Sequence, residues 1–295
     1  MAVPEVIAVF GPTASGKSAV AAALAERLET EVVSCDAMQV YRGLPVLTNQ
    51  PASATRLVGF CDLVDEMSVG TYAPLAHEAI DEVVDDAGTV VVAGGTGLYL
   101  RAAIGELALP PAPAAGAREQ AESAYDSDPA GAHSRLRELD PAAADAVHPN
   151  DRRRVVRALE LAVSGSSLVP LAAQLWSGVT RRPTVVIGLD VPPAELERRI
   201  VHRVEEMFAA GVVDEVRRAL EGPISRTAEK ALGLREIVEL PQDDARARIV
   251  VRTRRYAAYQ RKWMRRIPGL VGLDATRTPD EVANAILEAA PSTCP

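Results

Sequence analysis

The sequence predicts an α/β protein in which a parallel sheet flanked by helices is interrupted by an all-helical insertion. Three observations carry this. Short apolar runs alternate with helical patterns, and the first run ends in a glycine-rich turn that opens a helix. Composition then shifts towards proline and alanine near residue 107, and strand character returns only near residue 184.

The elements follow in order. Glu5 to Phe10 (EVIAVF) is uniformly apolar after its first residue, as a strand covered on both faces requires, and Gly11-Pro12 closes it. From Gly16 to Leu28 the period becomes helical, with Val20, Leu24 and Leu28 on one face. Glu31 to Ser34 reads as a second strand ending at Cys35-Asp36, Tyr72 to Val84 as a helix, and Thr89 to Ala93 as a third buried strand ended by Gly94-Gly95. Alternation at this spacing indicates a parallel sheet. Leu107 to Ala117 (LALPPAPAAGA) reads as a linker, and 118–176 as short amphipathic helices. Thr184 to Leu189 restores a strand, with long helices expected over Ala194 to Leu220 and Ala245 to Arg266. The expected division is a core over 1–106, a helical insertion over 107–176, and the rest of the core over 177–295.

Composition bounds the function. With 48% hydrophobic and 24% charged residues the chain reads as soluble and globular. No run approaches the roughly 20 apolar residues of a membrane span, and Met1 to Phe10 lacks a signal-peptide pattern, so a cytoplasmic, monomeric protein is expected. Cys35, Cys61 and Cys294 are too few and scattered for a disulfide framework or zinc site, and His77, His133, His148 and His202 show no ligand spacing. The net charge of −8 argues against nucleic acid only until its distribution is considered. Residues 252–266 hold seven basic side chains and no acid, and Arg152, Arg153, Arg154 and Arg157 form a second basic run.

Gly11-Pro12-Thr13-Ala14-Ser15-Gly16-Lys17-Ser18 satisfies G-x-x-x-x-G-K-[ST], a phosphate-binding loop of the P-loop NTPase-like kind. Its glycines let successive N–H groups face a phosphate chain, and the following helix adds its N-terminal partial charge. Lys17 reaches the terminal phosphates, and the Ser18 hydroxyl suits Mg²⁺. No hydrophobic run read here as a strand ends in the Asp or Glu that usually accompanies such a loop; TVVVAGG ends in glycines. Asp36, at the end of the second strand, is the nearest suitable carboxylate and can act as a general base. These features alone leave a small-molecule kinase open.

Further blocks bear on that choice. Asp36-Ala37-Met38-Gln39-Val40-Tyr41-Arg42-Gly43 runs on to Thr48 and Pro51, and Gly94-Gly95-Thr96-Gly97-Leu98-Tyr99 follows. Later come His148 to Glu160, Met207 to Leu220, Ala231 to Glu236, and Thr253 to Trp263. In this order, over about 5–275, the chain resembles the tRNA dimethylallyltransferases (tRNA isopentenylpyrophosphate transferases). The resemblance implies a loop, Gly11 to Ser18, that holds the diphosphate of dimethylallyl diphosphate, with Mg²⁺ at Ser18. It also implies that Asp36 is the general base towards an adenine amine and that Arg217 binds diphosphate. Asp36, Ala37, Met38, Gln39, Thr96, Arg118, Arg153, Arg154, Arg157, Lys230, Gly233 and Arg235 would meet tRNA, the helical insertion gripping the anticodon stem-loop. A related enzyme acting on free AMP, ADP or ATP is the alternative.

The chain departs from the family at three places. It has Gln50 where the family has lysine, Phe60-Cys61 for a histidine pair, and Ala258-Tyr259 for a Lys-Arg pair. Positive charge is lost, but Lys17, Ser18 and Asp36 are untouched. Tyr256, Tyr259 and Trp263 recur at helical spacing, which suits core packing or base stacking.

Overall fold

The computed structural model describes residues 4–110 and 116–293. The chain divides into two compact units, one formed by 1–105 with 180–295, the other by 106–179.

The first unit is built on a five-stranded parallel sheet in the order β2-β3-β1-β4-β5: β1 (Val6–Phe10), β2 (Val32–Ser34), β3 (Val90–Gly94), β4 (Thr184–Asp190) and β5 (Val271–Asp274). β1 is central, with Val6 opposite both Val90 and Thr184. Alternation along it sends Val6, Ala8 and Phe10 to one core layer and Ile7 and Val9 to the other. The helices of this first part are α1 (Lys17–Leu28), α2 (Pro45–Thr48), α3 (Val69–Ala87) and α4 (Gly97–Ile104). Tyr72, Ile80 and Leu100, from α3 and α4, cover the first layer, and Val20 and Leu24 of α1 cover the second. Because β1 lies between strands reached in opposite directions, its carboxyl end is a switch point, where open α/β sheets bind ligands. The turns after β1, β2 and β3 all open at this edge.

The second unit is wholly helical among its described residues: α5 (Ala117–Ser127), α6 (Pro129–Leu139), α7 (Pro141–Ala146), α8 (Arg152–Val163) and α9 (Val169–Leu175). Tyr125, Leu136, Val155, Val156 and Leu159 form its own core. Asp128, Asp140 and Asp151 cap α6, α7 and α8 through backbone N–H groups. Residues 111–115 of the expected linker lie outside the described residues.

The remaining helices are α10 (Pro193–Ala209), α11 (Val212–Ala219), α12 (Leu234–Glu239), α13 (Gln242–Met264) and α14 (Pro279–Thr293). The single helix expected over 194–220 is two, because Gly211 adopts φ +85° and ends α10. The sequence reading also omitted α2, α4, α14 and the edge strand β5, whose residues are alternately half-buried and exposed. No helix among the described residues is long and apolar enough to cross a membrane.

Candidate active site

The phosphate loop connects β1 to α1. Ala14 and Gly16 have φ +63° and +88°, and Ser15 N–H donates to Pro12 O at 3.2 Å. A positive φ at alanine is uncommon and marks a backbone held by its surroundings. Lys17 Nζ donates to Pro12 O at 2.8 Å, while Ser18 lies half-buried in the first turn of α1. The Ser15 hydroxyl is buried with no hydrogen-bond partner. An orphaned buried hydroxyl in this turn fits a loop shaped for an anion.

Two further turns face it. Asp36 Oδ1 accepts from Met38 N–H at 2.9 Å, and Thr96 Oγ1 accepts from Ala37 N–H at 3.3 Å, joining the turn after β2 to the turn after β3. A Cβ on Gly94 would lie 2.4 Å from Cys35 O, so only glycine allows the two turns to approach. Gln260, from α13, is buried; its amide oxygen accepts from Thr13 N–H at 2.7 Å, and its amide nitrogen donates to Gly95 O at 2.8 Å.

The charges follow from this packing. Burial pushes the Lys17 ammonium down to about 8; Asp36 opposes that shift and Arg203 adds to it. Arg203, from α10, donates to the Thr13 hydroxyl. Burial lowers its pKa while Asp36 raises it. The site thus holds two cations and one carboxylate in mutual range. Oxygen donors dominate it, which suits a hard cation. Among the described residues no group of three or more His, Cys, Asp or Glu is placed to hold a metal by itself.

Arg217, expected at the diphosphate, lies on α11 beside the buried Val216, is largely exposed, and pairs with Asp214 at 3.3 Å. The arginine that touches the loop is Arg203. A signal for it was present, since Arg203 lies three residues after Ile200 and four before Met207, on the helix stripe that packs inward. Gln260 and Tyr256 were also missed as site residues. They lie one helical turn apart on α13, where burial and the neighbouring Asp36 hold the Tyr256 hydroxyl above the ordinary phenol range.

A family model described as IPP transferase matches residues 39–267, and one described as isopentenyl transferase matches residues 4–58. The tRNA dimethylallyltransferase of Kineococcus radiotolerans is 41% identical, across 97% of this chain and 96% of that protein. The chain belongs to the IPP transferase family. The tRNA dimethylallyltransferase of Streptomyces coelicolor is likewise 41% identical, across 90% of this chain and 88% of that protein. The structure of the tRNA isopentenylpyrophosphate transferase from Bacillus halodurans matches with TM-score 0.69 at 29% identity, covering 98% of each chain. A eukaryotic dimethylallyltransferase acting on tRNA shares the fold, with TM-score 0.79 at 24% identity over 98% of this chain and 80% of that one.

In this IPP transferase the positions where positive charge is lost take defined places. Gln50 Nε2 donates to Tyr41 O at 2.7 Å and to Gln39 O at 3.1 Å, so a neutral amide holds the segment after β2. Gln39 in turn donates to Asn49 O at 2.7 Å. Cys61 is buried, and Tyr259 is exposed, its ring edge-on to Trp263 at 6.5 Å. Trp263 itself packs against the Cα of Gly97, where a Cβ would meet its ring at 2.2 Å.

The remaining expected tRNA contacts fall in both units. In the helical unit, Arg153 and Arg154 are exposed, Arg118 bonds Glu122 at 3.2 Å, and Arg157 bonds the buried Glu160 at 2.9 Å. In the sheet unit, Lys230 is exposed, Arg235 pairs with Glu229 at 3.3 Å, and Gly233, at φ +103°, starts α12. Part of the 252–266 stripe is paired: Arg252 with Glu236, Arg254 with Glu197, Arg261 with Asp190.

Proposed function

We propose that this protein transfers the dimethylallyl group of dimethylallyl diphosphate to N6 of the adenosine 3′-adjacent to the anticodon in tRNA, releasing diphosphate. The observation that carries the proposal is the electrostatic coupling of Asp36 to Lys17 of the phosphate loop and to Arg203, which donates to Thr13 of that loop. The family assignment supports it, as does a separate helical unit with exposed arginines on α8.

An adenine amine is a weak nucleophile, because its lone pair is delocalised into the ring. As the N6–C1 bond forms and the C1–O bond to diphosphate breaks, Asp36 takes the N6 proton. Lys17, Arg203 and the N–H groups at the start of α1 stabilise the charge that develops on the leaving diphosphate. Mg²⁺ would be held by the Ser18 hydroxyl together with substrate oxygens, and when bound it supplies further neutralisation of that charge. The target adenine has to leave its stack to reach a site at the end of the sheet. The exposed arginines of α8 and the basic stripe over 252–266 suit the phosphate backbone.

The test is transfer of radiolabelled dimethylallyl diphosphate, with Mg²⁺ and no ATP, to unmodified tRNA and in parallel to free AMP. Label in tRNA alone is the expected result. Label in AMP alone would make this a free-nucleotide enzyme, and phosphoryl transfer from ATP to a small acceptor would make it a kinase.

A further inference from the structure

Among the large hydrophobic side chains that the described residues expose, Tyr259 is the one aromatic, with 52% of the residue open to solvent. Its ring is nevertheless seated. It meets the Trp263 ring at 6.5 Å between centroids and 72° between planes, an edge-to-face arrangement that aromatic pairs prefer. Trp263 is anchored in turn: it lies against Gly97, where a Cβ would fall 2.2 Å from its ring, and packs on the core layer of Tyr99 and Leu100. The residue next to Tyr259 on α13, Gln260, points inward, where it accepts from Thr13 N–H and donates to Gly95 O. The Tyr259 ring therefore stands at the rim of the site, beside the turn after β3. One helical turn to either side of it are Arg255 and Lys262, both exposed, and residues 252–266 contain no acid.

We propose that Tyr259 is a stacking platform for one of the two nucleobases that flank the target adenosine in the RNA. Extruding the target base strips a stacking partner from each of its neighbours. An exposed ring at the rim of the site replaces that partner, and it does so for any base, since every base has a π-face. The cations on either side of the ring suit the phosphates that join the stacked base to the strand. An aromatic side chain set between basic ones is the arrangement that single-stranded nucleic acid requires. A protein partner is matched less well, because α13 exposes no second large apolar side chain within a turn of Tyr259.

This inference rests on the proposed RNA substrate, and binding separates it from the transfer reaction. Wild type, Tyr259→Phe, Tyr259→Leu and Tyr259→Ala are titrated with an unmodified anticodon stem-loop RNA at several salt concentrations, without dimethylallyl diphosphate. The residue is exposed, so unfolding midpoints are expected to match. Tyr259→Phe should bind as the wild type does, and Tyr259→Ala should raise Kd about five- to 150-fold, the worth of one stacked base. Tyr259→Leu should lose nearly as much, since bulk without a π-face does not stack. The slope of log Kd against log salt should stay the same, because the ring neutralises no phosphate. Wild-type affinity in the Leu or Ala variant, a loss in the Phe variant, a changed slope, or no binding by the wild type would overturn the proposal. As a second readout, 2-aminopurine is placed on the 5′ or the 3′ side of the target adenosine. Stacking on Tyr259 should quench its fluorescence at one of the two positions, and Tyr259→Leu should restore it; equal signals from both proteins at both positions remove the platform. A wild type that shows these effects yet transfers no label would count against the transfer reaction alone.

Discussion

Arg203 donates to the hydroxyl of Thr13, so a side chain from α10 closes the phosphate loop from the far part of the chain. The contact also brings the guanidinium into range of Asp36, across the site from the loop. Two positive groups, Lys17 and Arg203, therefore flank the place where a diphosphate would sit.

From this placement, Arg203→Ala should lower kcat for transfer by about a hundredfold, the usual loss for a donor aimed at developing charge. Arg217→Ala, which removes only an exposed pair with Asp214, should leave the rate within about twofold. Steady-state kinetics on the two variants checks the assignment, and the reverse ranking would return the role to Arg217.

The lowered pKa of Lys17 predicts a pH dependence. Its folded value, about 8, lies below the ordinary 10.5, so the unfolded chain binds more protons between those limits. Stability therefore rises with pH from about 8 to 10.5 as the cost of burying the ammonium disappears. Binding runs the other way, because only the protonated form attracts diphosphate. Affinity for dimethylallyl diphosphate without acceptor should fall as pH rises above about 8, and Lys17→Met should flatten that fall. Calorimetric titrations at several pH values would read both.

Glu215 predicts a stability effect remote from the chemistry. It is buried, and its two carboxylate oxygens accept from Val46 N–H and Leu47 N–H at 2.8 Å each. Those bonds hold α2, whose last carbonyls accept from Gln39. Glu215→Ala leaves one buried and one half-buried donor unpaired and should cost about 3–6 kcal/mol, at about 1.5–3 kcal/mol for each bond to a charged group. Urea unfolding measures it. A cost under about 1 kcal/mol would mean that water replaces the carboxylate.

How much of this was legible in the sequence follows from the range of each interaction. The run from Glu5 to Ser18 could be read because strand, loop and helix start are encoded by adjacent residues. Asp36 and the Gly94-Gly95 turn were legible as strand ends. Arg203 and Gln260 were not, because their partners Thr13 and Gly95 lie far away in sequence and only the packing of α10 and α13 brings them together. The break at Gly211 was missed because apolar spacing continues on both sides, through Met207 and Val212, and hides one left-handed residue. The strand β5 escaped because an edge strand needs no continuous apolar run.

The most direct test of the account is a single-turnover measurement on Asp36→Asn, with enzyme in excess over labelled dimethylallyl diphosphate and saturating tRNA. If Asp36 is the base opposite the phosphate loop, transfer should slow by about 10²- to 10⁴-fold while dimethylallyl diphosphate and tRNA bind as tightly as to the wild type. Transfer at an unchanged rate would contradict the account, because the carboxylate facing the loop would then have no part in removing the proton.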